Sequence, residues 1–264
     1  MTLHESHRLS HPVVFRQLQV LEVHDLTPHM RRIVVGGPAL AGFHSAAPDD
    51  HIKVFFPNPD GEFVTPTLGA HGLEYPAGKV ASPMRDYTPR LHDAAAGTLA
   101  IDFVLHGDGP AASWAAAAQP GAALALGGPR GSFMVAEDFD HYVLIGDETA
   151  LPAIGRWLGE MPAGRKVTAV IEIPEDADRQ ALLTRADADI RWLPRNGVPA
   201  QRSELLEQML DDLAPQGDAF WWIACESRRA RMMRKFLEGH RAVPKGWIRS
   251  TGYWKHADSV EDED

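Results

Sequence analysis

Near residue 135 the chain changes its rhythm, and no other feature limits its fold so strongly. Before that point short β-branched or alternating runs recur: VVFRQLQVLEV (13–23), MRRIVVGG (30–37), HIKVFFP (51–57), MRDYTPRL (84–91), TLAIDFVLHG (98–107) and AALALGGP (122–129). Gly, Pro, Asp and Asn separate them, and about six strands at such spacing predict a six-stranded antiparallel β-barrel. One helix interrupts the series at PAASWAAAA (110–118), which starts with Pro and is rich in the best helix former. After the change each strand-like run precedes a helical one. HYVLIGD (141–147) leads to TALPAIGRWLGEM (149–161), KVTAVIEI (166–173) to EDADRQALL (175–183), and IRWLP (190–194) to SELLEQMLDDL (203–213). AFWWIAC (219–225) leads to ESRRARMMRKFLEG (226–239), and WIRSTGYW (247–254) closes the series. This alternation predicts a doubly wound parallel sheet of the nucleotide-binding kind. The expected domains are therefore 1–136, the barrel, and 137–264, the α/β domain with its acidic tail.

Several function classes fall away on composition. No apolar run reaches the roughly 18 to 20 residues of a membrane span. The start, MTLHESHRLSHP, has no apolar core of a secretory signal, so a cytoplasmic location is the expectation. The single cysteine, Cys225, forms no intrachain disulfide, four-cysteine zinc site or iron–sulfur cluster. If the protein moves electrons, they pass through an organic cofactor. A net charge of −10 argues against nucleic acid, so an anionic ligand needs a locally basic pocket. The tail EDED (261–264) reads as a solvated, disordered end. His4, His7 and His11 have the spacing of a helical metal clip, but they sit in a terminus expected to be mobile. Trp221 and Trp222 read as core, and Met232 and Met233 as helix packing.

Two stretches carry chemistry. In RDYTPR a strand places Arg85, Tyr87 and Pro89 on one face and Asp86, Thr88 and Arg90 on the other. A tyrosine ring stacks on a planar ligand, a threonine hydroxyl reaches a ring nitrogen, and arginine forks match phosphate. An edge strand with solvated arginines explains the same letters. In HGDGPAASWA (106–115) a strand ends at His106, glycines turn the chain, and a helix opens at Pro110 with free N–H groups and Ser113 in its first turn. Such a helix start takes a pyrophosphate. Asp108 as an ordinary N-cap is the alternative.

The order RDYTPR, DFVLHGDGPAASWA, GGPRGSF and a final GYWK resembles the siderophore-interacting protein family of flavin-dependent ferric-siderophore reductases, relatives of the ferredoxin reductase fold. The resemblance covers about residues 13–255. It implies an FAD site built from Arg85, Asp86, Tyr87 and Thr88, with Gly109, Pro110, Ala111, Ala112 and Ser113 at the pyrophosphate and His106 beside them. Arg90 falls on a position that varies in the family. Lys53 and Arg130 match positions that would receive an anionic ferric chelate, and Lys255, after Tyr253 and Trp254, is a third candidate, although a lone lysine is more often a solvated charge. For the nicotinamide nucleotide the corresponding turn, IGDETALPAIG (145–155), lacks G-x-G-x-x-G and carries Asp147 and Glu148, which repel phosphate. The candidates there are Asp147, Thr149 and Ala150, with Arg195, Arg228 or Arg229 for a 2′-phosphate. That favours NADPH over NADH, and ferredoxin is the other donor the family uses. Cys225 falls where ferredoxin reductase relatives place a cysteine near the nicotinamide, while a buried strand thiol is the simpler account.

The chemistry that follows needs no general acid or nucleophile. Iron(III) is held tightly by hard oxygen donors and released on reduction to iron(II). A nicotinamide gives two electrons where iron takes one, so a flavin must stand between them. The expected function is reduction of a ferric siderophore by NADPH through FAD, in a monomer. A general flavin reductase and a non-catalytic siderophore carrier are the alternatives.

Overall fold

In the strand Phe15–Thr27, Leu18 and Val20 are buried while Gln17, Gln19 and Leu21 face solvent, the two-residue period of a sheet with one covered face. The same logic builds the first half of the computed structural model, which describes residues 4–69, 72–107 and 109–256. Asp108 and the EDED tail lie outside the described residues. The strands are β1 (His7–Ser10), β2 (Phe15–Thr27), β3 (Met30–Gly36), β4 (Ile52–Phe55), β5 (Thr67–Gly69), β6 (Gly72–Glu74), β7 (Met84–Tyr87), β8 (Leu91–Asp93), β9 (Thr98–Val104), β10 (Ala123–Gly127) and β11 (Gly131–Met134). Seven of them form one antiparallel sheet in the order β7-β4-β10-β2-β3-β9-β8. β5 pairs with β6, and β1 with β11, outside that sheet.

One correction explains how the sheet closes. The run MRDYTPRL is two strands, not one, because Pro89 has no N–H to donate to a ladder. β7 lies at one edge of the sheet and β8 at the other. Only Thr88, Pro89 and Arg90 separate them, a span of at most about 14 Å. The two edges of the curled sheet are thus pieces of a single segment. Inside, Leu18, Val20, Ile33, Val35, Ile52, Val54, Leu99, Ile101, Phe103, Leu124 and Leu126 form the core. α1 (Pro110–Ala117) covers one opening by burying Ala111 and Ala115 against it. Arg31 closes the far end of that helix, donating to the Ala115 and Ala116 carbonyls at 3.1 and 2.7 Å.

The second half forms a five-stranded parallel sheet. Its elements are β12 (His141–Gly146), α2 (Leu151–Glu160), β13 (Lys166–Ile173), β14 (Asp187–Pro194), α3 (Leu205–Asp212), β15 (Ala219–Glu226), α4 (Ser227–Gly239) and β16 (Ile248–Trp254). The order is β14-β13-β12-β15-β16. β15 is buried along its whole length, as a central strand covered on both faces must be. Trp221 and Trp222 are core, as expected, and Met233 is buried, but Met232 faces solvent. The helix expected over 175–183 is absent: a single 3-10 turn, Asp176–Asp178, replaces it. Leu183 is 85% exposed, so this stretch has no apolar face to dock and nothing to reward a helix.

By contact the chain divides into Arg8–Met134 and a second unit that joins the residues before Arg8 to everything from Val135 onward. His4 shows why the start belongs with the α/β part. Its ring is 3% exposed and stacks on Phe139 at 4.0 Å. Its ring nitrogens meet Asp138 at 2.9 Å and Asp218 at 3.0 Å, and its backbone N–H donates to Asp138 at 3.0 Å. Carboxylates only accept, so both ring nitrogens carry protons and the ring is an imidazolium. This segment is therefore anchored, contrary to the mobile end expected from the sequence. The helical metal clip fails too, because His7 starts a strand and His11 Nε2 bonds Ser132 Oγ at 2.8 Å. Burial opposes the charge on His4, but hydrogen bonds to Asp218 and Asp138 outweigh it and raise the pKa above 6.5. The anchor should be complete below pH 6.5 and weaken as pH rises through the raised value. Ring-nitrogen NMR should place the His4 midpoint above 6.5; a midpoint at or below it contradicts the double bond.

Candidate functional site

The end of β7 is built around Tyr87. Its ring packs 4.4 Å from Phe103 and 6.4 Å from Phe56, and both of these meet Trp114 of α1, at 5.7 and 5.8 Å. Tyr87 remains half-buried, and desolvation raises its phenol pKa despite the nearby charge of Arg85. Thr88 and Pro89, at the seam, are buried. Arg85 and Asp86 are exposed, and Arg90 approaches Asp102 at 3.9 Å, a carboxylate that Arg32 already holds at 2.6 and 2.8 Å. The aromatic neighbours Phe56, Phe103 and Trp114 were not legible as site residues, since an aromatic on a strand reads first as core.

That aromatic cluster brings the strand end and the helix start together. α1 begins with Gly109 as N-cap, and among the described residues no side chain caps it and no acid lies in its first turn. Ala111 and Ala112 turn their small side chains inward, and Ser113 N–H donates to the Gly109 carbonyl at 2.9 Å. No described side chain accepts from the amides of Ala111 and Ala112, which face the helix start where an anion can bind. A Cβ on Gly107 or Gly109 would project into open space, room that a bound group can take up. His106 is exposed beside them. An aromatic wall, an exposed guanidinium and a helix start that no described side chain caps, on one barrel, form a donor set that fits a flavin carrying a pyrophosphate.

The basic candidates on this unit are placed differently. Lys53 on β4 lies opposite Asp86 on β7 and binds it at 2.6 Å, so its charge is half used. On the other side Lys53 pairs in register with Gly127, at the start of the turn that carries exposed Arg130. β1 passes over this turn: a Cβ on Gly131 would lie 2.5 Å from the Leu9 carbonyl. Lys255 belongs to the α/β unit, where it is exposed.

In the α/β unit the carboxyl ends of the strands are strongly acidic. Asp147 is 1% exposed; burial and Glu148 push its pKa up to about 6. Its Oδ1 accepts from the N–H and hydroxyl of Thr149, and its Oδ2 accepts from Trp254 Nε1 at 2.7 Å. Ala150 is buried as the N-cap residue of α2. Arg195 holds Glu148 through two bonds of 2.6 Å and Glu172 at 3.2 Å. Arg229 grips Glu172 at 2.9 Å and Glu207 at 2.8 Å, and Ser203 completes the shell of Glu172. Two of the three guanidinium groups expected from sequence for a 2′-phosphate, Arg195 and Arg229, are therefore committed to carboxylates, whereas Arg228 is exposed at the start of α4. Cys225 is buried, donates to the Glu226 carbonyl at 3.6 Å, and has its pKa raised by burial, a strand thiol in an apolar setting. Among the described residues no cluster of three or more His, Cys, Asp or Glu is arranged to hold a metal.

An antiparallel barrel with a flavin-type site, followed by a parallel sheet, defines the ferredoxin reductase-like class. A ferredoxin NADP+ reductase from Neisseria gonorrhoeae shares the fold, with a TM-score of 0.60 at 18% identity over 91% of this chain and 99% of that one. Residues 19–133 match the siderophore-interacting FAD-binding domain, and residues 139–257 match the siderophore-interacting protein model. A siderophore utilization protein from T. fusca superposes with a TM-score of 0.89 at 38% identity, covering 98% of this chain and 99% of that one. An NADPH-dependent ferric-chelate reductase of Escherichia coli is 36% identical over 94% of this chain and 95% of its own length. The chain belongs to the siderophore-interacting protein family, and FAD is its cofactor.

Proposed function

We propose that the protein is an FAD-dependent ferric-siderophore reductase that takes its electrons from NADPH. The observation that carries this reading is the meeting, through Phe56 and Phe103, of Tyr87 with Trp114 of α1, a helix whose start no described side chain caps. Its relationship to an NADPH-dependent ferric-chelate reductase supports the donor and the acceptor. Bound FAD supplies the step from a two-electron hydride donor to a one-electron reductant of iron(III). Tyr87 and Thr88 hold the ring, Arg85, the amides of Ala111 and Ala112 and the hydroxyl of Ser113 hold the pyrophosphate, and Gly109 and Pro110 shape the turn. His106 lies beside it, and Asp86 sets the position of Lys53. Arg130 and Lys53 attract the anionic chelate, with Lys53 giving up Asp86 as the chelate docks; Lys255, on the α/β unit, is a separate candidate for the same charge. In the nucleotide unit Arg228 is the guanidinium left for a 2′-phosphate, with Thr149 and Ala150 near the turn. The protein acts as a monomer in the cytoplasm, where NADPH is found, and ferredoxin is the alternative donor. No helix among the described residues is long and apolar enough to cross a membrane.

An anaerobic absorbance experiment tests the reading. Flavin bands near roughly 370 and 450 nm should bleach with NADPH and return when a ferric siderophore is added with an iron(II) trap. Lys53→Ala and Arg130→Ala should each weaken chelate binding about tenfold while leaving the flavin bands in place. Protein without bands, even after addition of FAD, returns the chain to a carrier role. Bands that bleach only with reduced ferredoxin replace the donor.

A further inference from the structure

The indole of Trp254 crosses a strand to reach its partner. β15 separates β12 from β16 in the sheet, and two inter-strand steps amount to about 9.5 Å. Trp254 pairs in register with Glu226 at the end of β15, yet its Nε1–H donates at 2.7 Å to Asp147, just beyond β12. The ring therefore lies across the carboxyl end of β15, where Cys225 and Glu226 sit. The backbone of Trp254 is fastened as well, since Ser227 Oγ donates to its carbonyl at 3.0 Å. Gly252 permits this: a Cβ there would stand 2.8 Å from Ser227 Cα.

The ring covers a particular place. From β12 the chain runs outward to β13 and β14, then returns on the other side to β15 and β16. The crevice between β12 and β15 is the topological switch point, where open α/β sheets take their ligands. A second observation there also points to a ligand. Glu226 is buried, and its Oε2 caps α4 through the amides of Arg228 and Arg229 at 2.7 and 3.0 Å. Its Oε1 is buried with no hydrogen-bond partner among the described residues, an arrangement that costs free energy until a donor arrives.

We propose that Trp254 is a tethered gate over the switch point, held shut by Asp147, and that a dinucleotide donor enters by displacing the indole and then donates a hydrogen bond to Glu226 Oε1. The inference rests on the reading of the chain as an NADPH-linked reductase. Asp147 is then a positioning residue and not a nucleotide ligand. A closed gate lowers apparent affinity by the fraction of molecules that are open. The tether also responds to protons. Asp147 feels Glu148 from its own turn and Cys225 from β15; Glu226 follows Cys225, Arg195 holds Glu148 and Glu172, Arg229 holds Glu172, and Lys255 and His256 follow Trp254. Neither guanidinium is left to lower Asp147, since Glu148, Glu172 and Glu207 engage both. As pH falls through about 6 the acid gains its proton, accepts the indole N–H more weakly, and the gate loosens.

Calorimetric titration of NADP+ into the flavin-loaded protein tests the gate in wild type, Trp254→Phe and Asp147→Asn, from about pH 5.5 to 8. Trp254→Phe keeps an aromatic body but has no donor, and at neutral pH it should bind about tenfold tighter than wild type. Asp147→Asn keeps an acceptor without the charge and should fall between them, which preserves the test if the other variant fails to fold. The gap between wild type and Trp254→Phe should narrow toward low pH. Titration of the ligand's own phosphate cancels in that comparison. Equal affinities in the three proteins, or weaker binding by Trp254→Phe, overturn the gate and leave the donor reading standing. Binding by none of them removes the dinucleotide from this crevice and the gate with it. Binding by the variants alone means that wild type is shut nearly all the time, which upholds the gate.

Discussion

A Tyr87→Ala protein is expected to be colourless after purification and about 2 kcal/mol less stable than wild type. Two effects coincide in that one side chain. The ring packs on Phe103 at 4.4 Å, so its loss leaves a cavity at the edge of the barrel core. The same ring is the wall proposed for the flavin, whose loss removes ligand stabilisation as well. Tyr87→Phe separates the two: it keeps the packing and the aromatic face, and should retain both flavin bands and stability. A colourless Tyr87→Phe protein would assign the work to the hydroxyl. Full flavin in Tyr87→Ala would remove this residue from the site.

The second large effect is expected at Glu172, which is fully buried between Arg195 and Arg229, with Ser203 donating to the Oε2 that Arg229 also holds. Replacing it with alanine should lower the stability of the α/β unit by about 3 kcal/mol, the scale for removing one partner from a buried ion network. The loss stays near the lower end of that scale because Arg195 retains Glu148 and Arg229 retains Glu207. Urea unfolding followed by tryptophan fluorescence should report it, with flavin content of the folded protein unchanged. Stability within about 0.5 kcal/mol of wild type would show that the flanking pairs carry the network without Glu172.

Local patterns made the strands readable where one face is covered. β2 alternates, β15 is apolar throughout, and both were legible for that reason. The pairs β1 with β11 and β5 with β6 were not, since they are strands of three or four residues with little or no apolar face to announce them. The stretch 175–183 misled in the opposite direction: its composition favours a helix, but tertiary packing offers it no partner. The same boundary between local and distant information divides the site. RDYT and the helix start at Gly109 are contiguous letters with contiguous geometry. Arg195 and Arg229 looked free because the carboxylate that binds both, Glu172, is 23 and 57 residues away. The bond from Trp254 to Asp147 joins positions 107 residues apart, and no pattern in either neighbourhood hints at it.

The seam between β7 and β8 has a consequence for how the protein fails. Neither edge of the sheet is complete until this one segment has found both neighbours, β4 and β9, which are far apart in the chain. β8 meets β9 across a short hairpin, with Asp93 opposite Thr98, whereas β7 meets β4 with Met84 opposite Phe55, and that distant pairing forms late, after its loop has closed. A substitution that frees the seam would uncover two strand edges at once, each a template for another molecule's backbone. Losses of flavin at Arg85 to Arg90 should therefore arrive together with self-association, and an apoprotein pool in the cell is the population most exposed to aggregation.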